Sequence, residues 1–246
     1  MNLTLTVDNL HIRRSKTFTL HIEQLRVSAK SIVCIAGPNG GGKSTFMQCI
    51  VGLLKPDSGK VIVDGTLVTN DLRATRSVIG FVPDDEDWLI QELCAKEYFD
   101  LLIRVYRDAG VRSDMRARIG ELAKELSFTT FLQQLGSLSH GNKKKVQIIA
   151  GLMHEPKLIV LDEIRNGLDP LAIMSAEKII TDERKRGACI IAATHDLWWA
   201  ERTSNRILLL SDGSIQANLP TKTILRKYGS VESLFLRCGQ GSNEHK

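Results

Sequence analysis

Apolar and polar positions alternate through the opening stretch of the chain, and residues 1–36 are expected to form strands. Leu3, Leu5 and Val7 share one face, and Phe18, Leu20 and Ile22 share another, the period of half-buried strands. Residues 31–36 are instead a nearly unbroken apolar run, as expected of a strand covered on both sides. A glycine-rich turn then leads into Phe46, Met47, Ile50 and Val51 at helical spacing. Residues 56–59, Pro-Asp-Ser-Gly, predict a turn, residues 60–63 a short strand, and Asp64-Gly65 a second turn. Residues 77–82 read as another strand, stopped by Pro83.

The pattern changes at Asp84. Tyr98, Leu101, Leu102, Val105 and Tyr106 recur at helical spacing, as do Met115, Ile119, Leu122 and Leu126. Residues 84 to about 138 therefore predict an almost wholly helical insertion. Beyond it the pattern predicts a helix at 141–154, an apolar strand at 158–161, a helix at 171–186 and a strand at 189–193. Strands alternating with helices imply an α/β fold with a mostly parallel sheet covered on both faces. The polar residues after Gly239 are expected to fray.

Composition narrows the setting. A chain of 246 residues can bury a core without disulfide support. Its five cysteines, Cys34, Cys49, Cys94, Cys189 and Cys238, show neither zinc-ligand nor paired spacing and read as reduced thiols. No apolar run approaches the roughly 18–20 residues needed to span a bilayer, and residues 1–7 lack the basic start and apolar core of a signal peptide. The net charge of +5 is modest. Lys143-Lys144-Lys145 and Arg184-Lys185-Arg186 read as solvated helix faces, since no aromatic residue interleaves with them for base stacking, and no nucleic-acid partner is expected.

Two motifs carry chemistry. In Gly37-Pro38-Asn39-Gly40-Gly41-Gly42-Lys43-Ser44-Thr45 a buried strand enters a glycine-rich turn and then a helix. Glycines allow successive N–H groups to face phosphate oxygens, and the helix N-terminus adds partial positive charge. Lys43 can reach the terminal phosphates of ATP, and the Ser44 hydroxyl can ligate Mg²⁺. The second motif is the apolar strand ending in Asp162-Glu163. It sets two carboxylates at the carboxyl edge of the sheet, with Asp162 placed for Mg²⁺ and Glu163 for the attacking water.

With a third string, Leu138-Ser139-His140-Gly141-Asn142, the sequence resembles the nucleotide-binding subunits of ATP-binding cassette (ABC) transporters, whose signature is usually Leu-Ser-Gly-Gly-Gln. Gly167-Leu168-Asp169-Pro170 resembles the loop after the catalytic acid, and His195 in Thr194-His195-Asp196 the family's switch histidine. The resemblance implies a RecA-like P-loop core with an antiparallel β subdomain (residues 1–83 and 144–246) and an inserted α-helical subdomain (84–143), one ABC ATPase domain in all. It implies catalytic roles for Glu163 and His195, and metal binding by Ser44, Asp162 and Asp84. The phosphate loop, with Thr45, Arg14 and Asp169, would contact the subunit's ATP or couple the two sites, while Ser139 and Gly141 would meet ATP held by the other subunit. It further implies a head-to-tail dimer with a second copy or a homologous subunit. That dimer would drive a polytopic membrane permease from a cytoplasmic position on the inner face of the cell membrane.

Departures from the family pattern are local. Asp84 stands where a Gln is usual, His140 and Asn142 replace Gly and Gln, and Ile164-Arg165 replaces Pro-Thr. Where an aromatic residue usually stacks on adenine, Arg13, Arg14 and Phe18 are the alternatives. The signature variants resemble exporters more than nutrient importers, which makes ATP-driven export the expectation. A cassette that only switches on ATP, a soluble non-transport cassette and a phosphotransferring kinase are the rivals. Intact Lys43, Asp162, Glu163 and His195 argue against the first, and a single cassette without long coiled coils against the second. The signature argues against the third.

Overall fold

The computed structural model describes residues 3–68 and 72–241. Strands β1 (Leu3–Arg13) and β2 (Thr19–Ser28) pair antiparallel, Leu10 opposite Ile22 and Ile12 opposite Leu20. Burial in β1 changes phase, from Leu5 and Val7 to Leu10 and Ile12, across Asn9, whose φ is 46°. The extra residue re-aims the second half of the strand into the same core.

Strand β3 (Ile32–Ala36) precedes helix α1 (Lys43–Ile50), and β4 (Ser58–Val63) and β5 (Thr66–Leu67) complete the first sheet in the order β2-β1-β4-β5. Helix α2 (Leu72–Val78) runs directly into β6 (Ile79–Val82). The expected strand at 77–82 is thus shortened. Ser77 and Val78 close a helix, because the partner strand begins opposite Ile79, at Leu158.

Helices α3 (Ala95–Asp108), α4 (Met115–Glu125) and α5 (His140–Leu152) follow, then β7 (Leu158–Asp162), α6 (Pro170–Arg186) and β8 (Cys189–Ala193). The stretch 84–138 is less helical than its periodicity suggests. Residues 84–94 and 126–138 are turns and extended chain, tied by a bridge between Cys94 and Gln134. Pro83 breaks the chain before them, and Ser127, with φ of 51°, ends the turn after α4. Helix α5 begins one residue earlier than expected, because the Ser139 hydroxyl caps it by accepting from the Asn142 N–H (3.4 Å), and it stops at Leu152. Pattern reading left the rest of the chain without elements. The structure has α7 (Leu197–Thr203), β9 (Arg206–Ser211), β10 (Ser214–Pro220), α8 (Thr221–Tyr228) and α9 (Val231–Gly241). Gly239–Gly241 of the expected frayed tail finish α9; residues 242–246 of that tail, like the first two residues of the opening stretch, lie outside the described residues.

The second sheet has the order β10-β9-β3-β8-β7-β6, parallel except for β10. Its two faces feed separate cores. Ile32, Cys34 and Ala36 of β3 join the core packed under α3 to α7, while Val33 and Ile35 join α1 and the first sheet. Five buried residues in a row in β3 reflect this double cover. Since β3 lies between β8 and β9, the chain leaves it at a crossover point, where ligands of such sheets bind. Cys34, Cys49 and Cys189 are buried and unbridged.

Candidate active site

The carboxyl ends of β3, β6, β7 and β8 open on a cavity of about 870 Å³ lined by Arg14, Phe18, Asn39, Gly40, Gly42, Lys43, Ser44, Thr45, Asp84, Asp162, Glu163, Asn166 and His195. The loop from β3 crosses so close to β9 that Gly37 leaves no room for a Cβ beside the Leu210 carbonyl. Gly40 and Gly42 adopt φ of 76° and 107°, the left-handed region open to glycine. Lys43 folds over its own loop, donating from Nζ to the carbonyls of Gly37 (2.8 Å) and Pro38 (3.0 Å). Burial pulls the Lys43 ammonium below the usual lysine range, and Glu163 and Asp162 oppose that shift.

Three carboxylates share the cavity with this lysine. Burial, then Asp84 and Glu163, push the Asp162 carboxyl up to about 6, with Lys144 and Lys43 opposing. Asp84 accepts from the Asn166 side chain (3.0 Å) and lies 3.7 Å from the Lys144 ammonium. Glu163 holds φ of 43°, a conformation costing a non-glycine residue about 1–2 kcal/mol. Its backbone is pinned on both sides, its N–H to the Ala193 carbonyl (3.1 Å) and its carbonyl to the Asn166 N–H (3.0 Å). Glu163 Oε1 in turn accepts from the His195 N–H (2.9 Å) and meets His195 Nδ1 at 3.0 Å. The backbone bond fixes the carboxylate, while the imidazole stays 77% exposed and able to turn.

The oxygen donors fit Mg²⁺. Ser44, Asp162 and Asp84 share one cavity, and mutual repulsion and burial at Asp162 are what a cation relieves. No cage of three or more acidic, His or Cys ligands is preassembled among the described residues. Mg²⁺ does not need one, since it keeps waters and takes phosphate oxygens with one or two protein ligands.

Other expected residues lie elsewhere. Ser139, Gly141 and Asp169 do not line the cavity; Ser139 and Asp169 are exposed, each capping a helix. A hydrogen bond from the Ala172 N–H holds the Asp169 carboxyl below the usual carboxylate range. A Cβ on Gly141 would stand 2.8 Å from the Gly167 carbonyl, so the loops around 139–141 and 167–169 touch. Of the three adenine candidates, Arg14 and Phe18 line the cavity; Arg13 does not, and its N–H is bound to Asp57 (2.6 Å).

Two residues were missed. Asn166 bridges to Asp84. Lys144 is 1% exposed and donates to the carbonyls of Pro83 (2.8 Å) and Asp162 (3.4 Å), which corrects the reading of residues 143–145 as a solvated face. Burial lowers the Lys144 ammonium below the usual range, with Asp84 and Asp162 opposing. Its spacing to the buried Ile148 and Leu152, four and eight residues on, was the signal available.

The sequence model described as ABC transporter matches residues 20–166. The chain belongs to the ABC transporter family. It is an ATPase subunit, and its cofactors are ATP and Mg²⁺. A lipopolysaccharide export system ATP-binding protein of Haemophilus influenzae is 31% identical over 217 residues, covering 87% of this chain and 89% of that one. A solved ATP-binding subunit of an ABC transporter superposes with a TM-score of 0.87 at 27% identity, covering 96% of this chain and 99% of that one. A dimeric ATP-binding cassette in a post-hydrolysis state with ADP and Pi superposes with a TM-score of 0.74 at 27% identity, covering 88% and 98%. Among the described residues no helix is long and apolar enough to cross a membrane.

Proposed function

We propose that this ABC ATPase subunit works as a head-to-tail pair, with a second copy or a homologous subunit, and that each ATP is held by the phosphate loop of one chain and residues 139–141 of the other. The observation that carries this is the separation of Ser139 and Gly141 from the cavity around Lys43. The similar cassette solved as a dimer supports it. In this reading Lys43 and the loop N–H groups hold the phosphates, and Ser44, Asp162 and Asp84 would hold Mg²⁺. Arg14 and Phe18 flank the base. Glu163 orients and deprotonates the attacking water, His195 senses the γ-phosphate, and Asp169 couples the two sites. Residues 84–143 serve as the helical arm and 1–83 with 144–246 as the core.

The pair would drive a separate polytopic permease from the cytoplasmic face of the membrane, in the direction of export, as the similar lipopolysaccharide export protein is named to do. A groove of about 380 Å³ between core and arm is the surface for it. The groove includes Phe81, Trp88, Tyr98 and Tyr106, and Trp88 stands edge-on to Phe81 at 5.8 Å, 47% exposed. A half-exposed tryptophan beside Asp85 and Asp87 suits a partner helix carrying apolar and basic residues. The test is Glu163→Gln followed by light scattering with and without Mg-ATP. The variant should form ATP-dependent dimers and hydrolyse almost nothing, because a ligand bound only by the dimer stabilises it by mass action. A variant that stays monomeric while hydrolysing normally would sink the reading. Direction is read separately in vesicles carrying the permease, where export moves cargo away from the ATP-containing side and movement toward it overturns that part alone.

A further inference from the structure

We propose that His140 is a positioning residue that ties the segment after β6 to the loop before α6, a role a glycine at that place could not perform. This rests on the composite-site reading above. His140 Nδ1 meets Glu86 Oε1, and the other carboxylate oxygen of Glu86 accepts from Lys143 Nζ at 2.9 Å. The far edge of the imidazole, Cδ2 and Nε2, fills the space over Gly167 so fully that a Cβ there would collide with it. Gly167 holds φ of 75°, so the loop both needs glycine for its turn and uses its bareness to seat the ring.

The two ends of this bridge belong to different working parts. Glu86 opens the short turn that ends in Trp88 at the permease groove, and the Gln147 side chain anchors the same turn by donating to the Asp85 carbonyl (2.5 Å). Gly167 lies two residues before Asp169 and one after Asn166, whose side chain holds Asp84 in the nucleotide cavity. A shift at the groove is thus carried through Glu86 and the imidazole to the loop beside the hydrolysis site. A partly exposed hydrogen bond adds little net stability, so the bridge acts on where the loop sits rather than on whether the chain folds. Burial lifts the Glu86 carboxyl, but bonds and charges from Lys143 and His140 outweigh this and hold it below the usual range, so the anchor is ionised at neutral pH.

The experiment compares wild type, His140→Ala and His140→Gln as full-length chains. In the nucleotide-free protein, His140→Ala should speed amide exchange in residues 84–91 and 164–169 together, leaving α1 and the body of α5 unchanged. With Mg-ATP its kcat should fall by about fivefold to tenfold while KM stays within about twofold, the split expected when an interaction matters only in the transition state. His140→Gln, which keeps a donor toward Glu86, should recover most of both effects. Faster exchange at 84–91 without any change at 164–169 would overturn the bridge. So would a uniform loosening of the whole arm, and an unchanged kcat would overturn the positioning role. Should Glu163→Gln form no ATP-dependent dimer, the composite-site reading fails, and the exchange arm still decides whether the bridge exists.

Discussion

The edge of the six-stranded sheet and the surface around residues 139–141 are both built from helix N-termini and glycine loops, yet they end in opposite states. At the sheet edge, groups of like charge are gathered in a concave space, and Asp162 is pushed up to about 6 by burial and by Asp84 and Glu163. At residues 139–141 the local groups already satisfy one another. Ser139 caps α5, His140 pairs with Glu86, Asp169 caps α6, and the surface is open to solvent. The first region stores unfavourable electrostatics that Mg²⁺ and phosphate relieve. The second offers a settled, preshaped face. On the reading proposed above, one chain holds the reacting groups and presents this preshaped face to the ATP of its partner.

The largest expected effect breaks the first region alone. Glu163→Gln should cut turnover by about 10²–10⁴-fold, the range for loss of a general base, with ATP affinity kept. Lys43→Ala should weaken ATP binding by about 10–100-fold in an equilibrium titration, since a charge-assisted bond is worth about 1.5–3 kcal/mol. An ATP affinity that stayed unchanged in that variant would remove the lysine from the site.

Acid gives a smaller effect, opposite in sign at the sheet edge and at a buried histidine outside it. His154 is buried against Tyr106, ring centroids 4.1 Å apart, and burial lowers its imidazole to about 4 despite a bond to the Ile79 carbonyl. The unfolded chain takes up that proton near pH 6.5, so the stability tied to neutral His154 is present above 6.5 and lost as pH falls toward 4. Between pH 7 and 5 the loss is about 2 kcal/mol. Asp162 works the other way, because its raised carboxyl takes a proton in the folded state first and relieves repulsion below about 6. Denaturation of wild type against His154→Phe, without Mg²⁺, isolates the share of His154; equal pH slopes would contradict it. Smallest of all, Trp88→Ala should release the subunit from permease-containing membranes while basal hydrolysis changes by less than about twofold, as for a partly exposed contact away from the chemistry.

Much of this was legible in the chain because each signal was local. The phosphate loop announces itself by glycines between a buried strand and a helix, and the apolar run before Asp162 by its composition. What escaped depended on three dimensions. Lys144 reads as one of three adjacent lysines, and only the rotation of α5 turns it beneath Pro83 while its neighbours stay half-exposed. Residues 84–94 carry helix-forming residues, but with Pro83 before them and Cys94 bridged to Gln134 they form turns and short extended stretches instead. Helix α2 was hidden because Ser77 and Val78 look like the start of the strand they precede. The C-terminal strands β9 and β10 went unread as well, although Ile207 to Leu210 form a continuous buried run.

The most direct test of the two-chain site uses a chain carrying both Lys43→Ala and Ser139→Cys, and an ATP analogue with a thiol-reactive group on its γ-phosphate. With the analogue held near the wild-type Kd, that chain should be labelled at residue 139 scarcely at all by itself, because its own phosphate loop binds the analogue about 10–100-fold more weakly. Adding wild-type chain, whose phosphate loop is intact, should bring the label onto residue 139 of the doubly substituted chain, with Lys43→Ala alone as the control for native thiols. Labelling of residue 139 as strong without wild type as with it, or none with wild type in excess, would contradict a site shared between two chains.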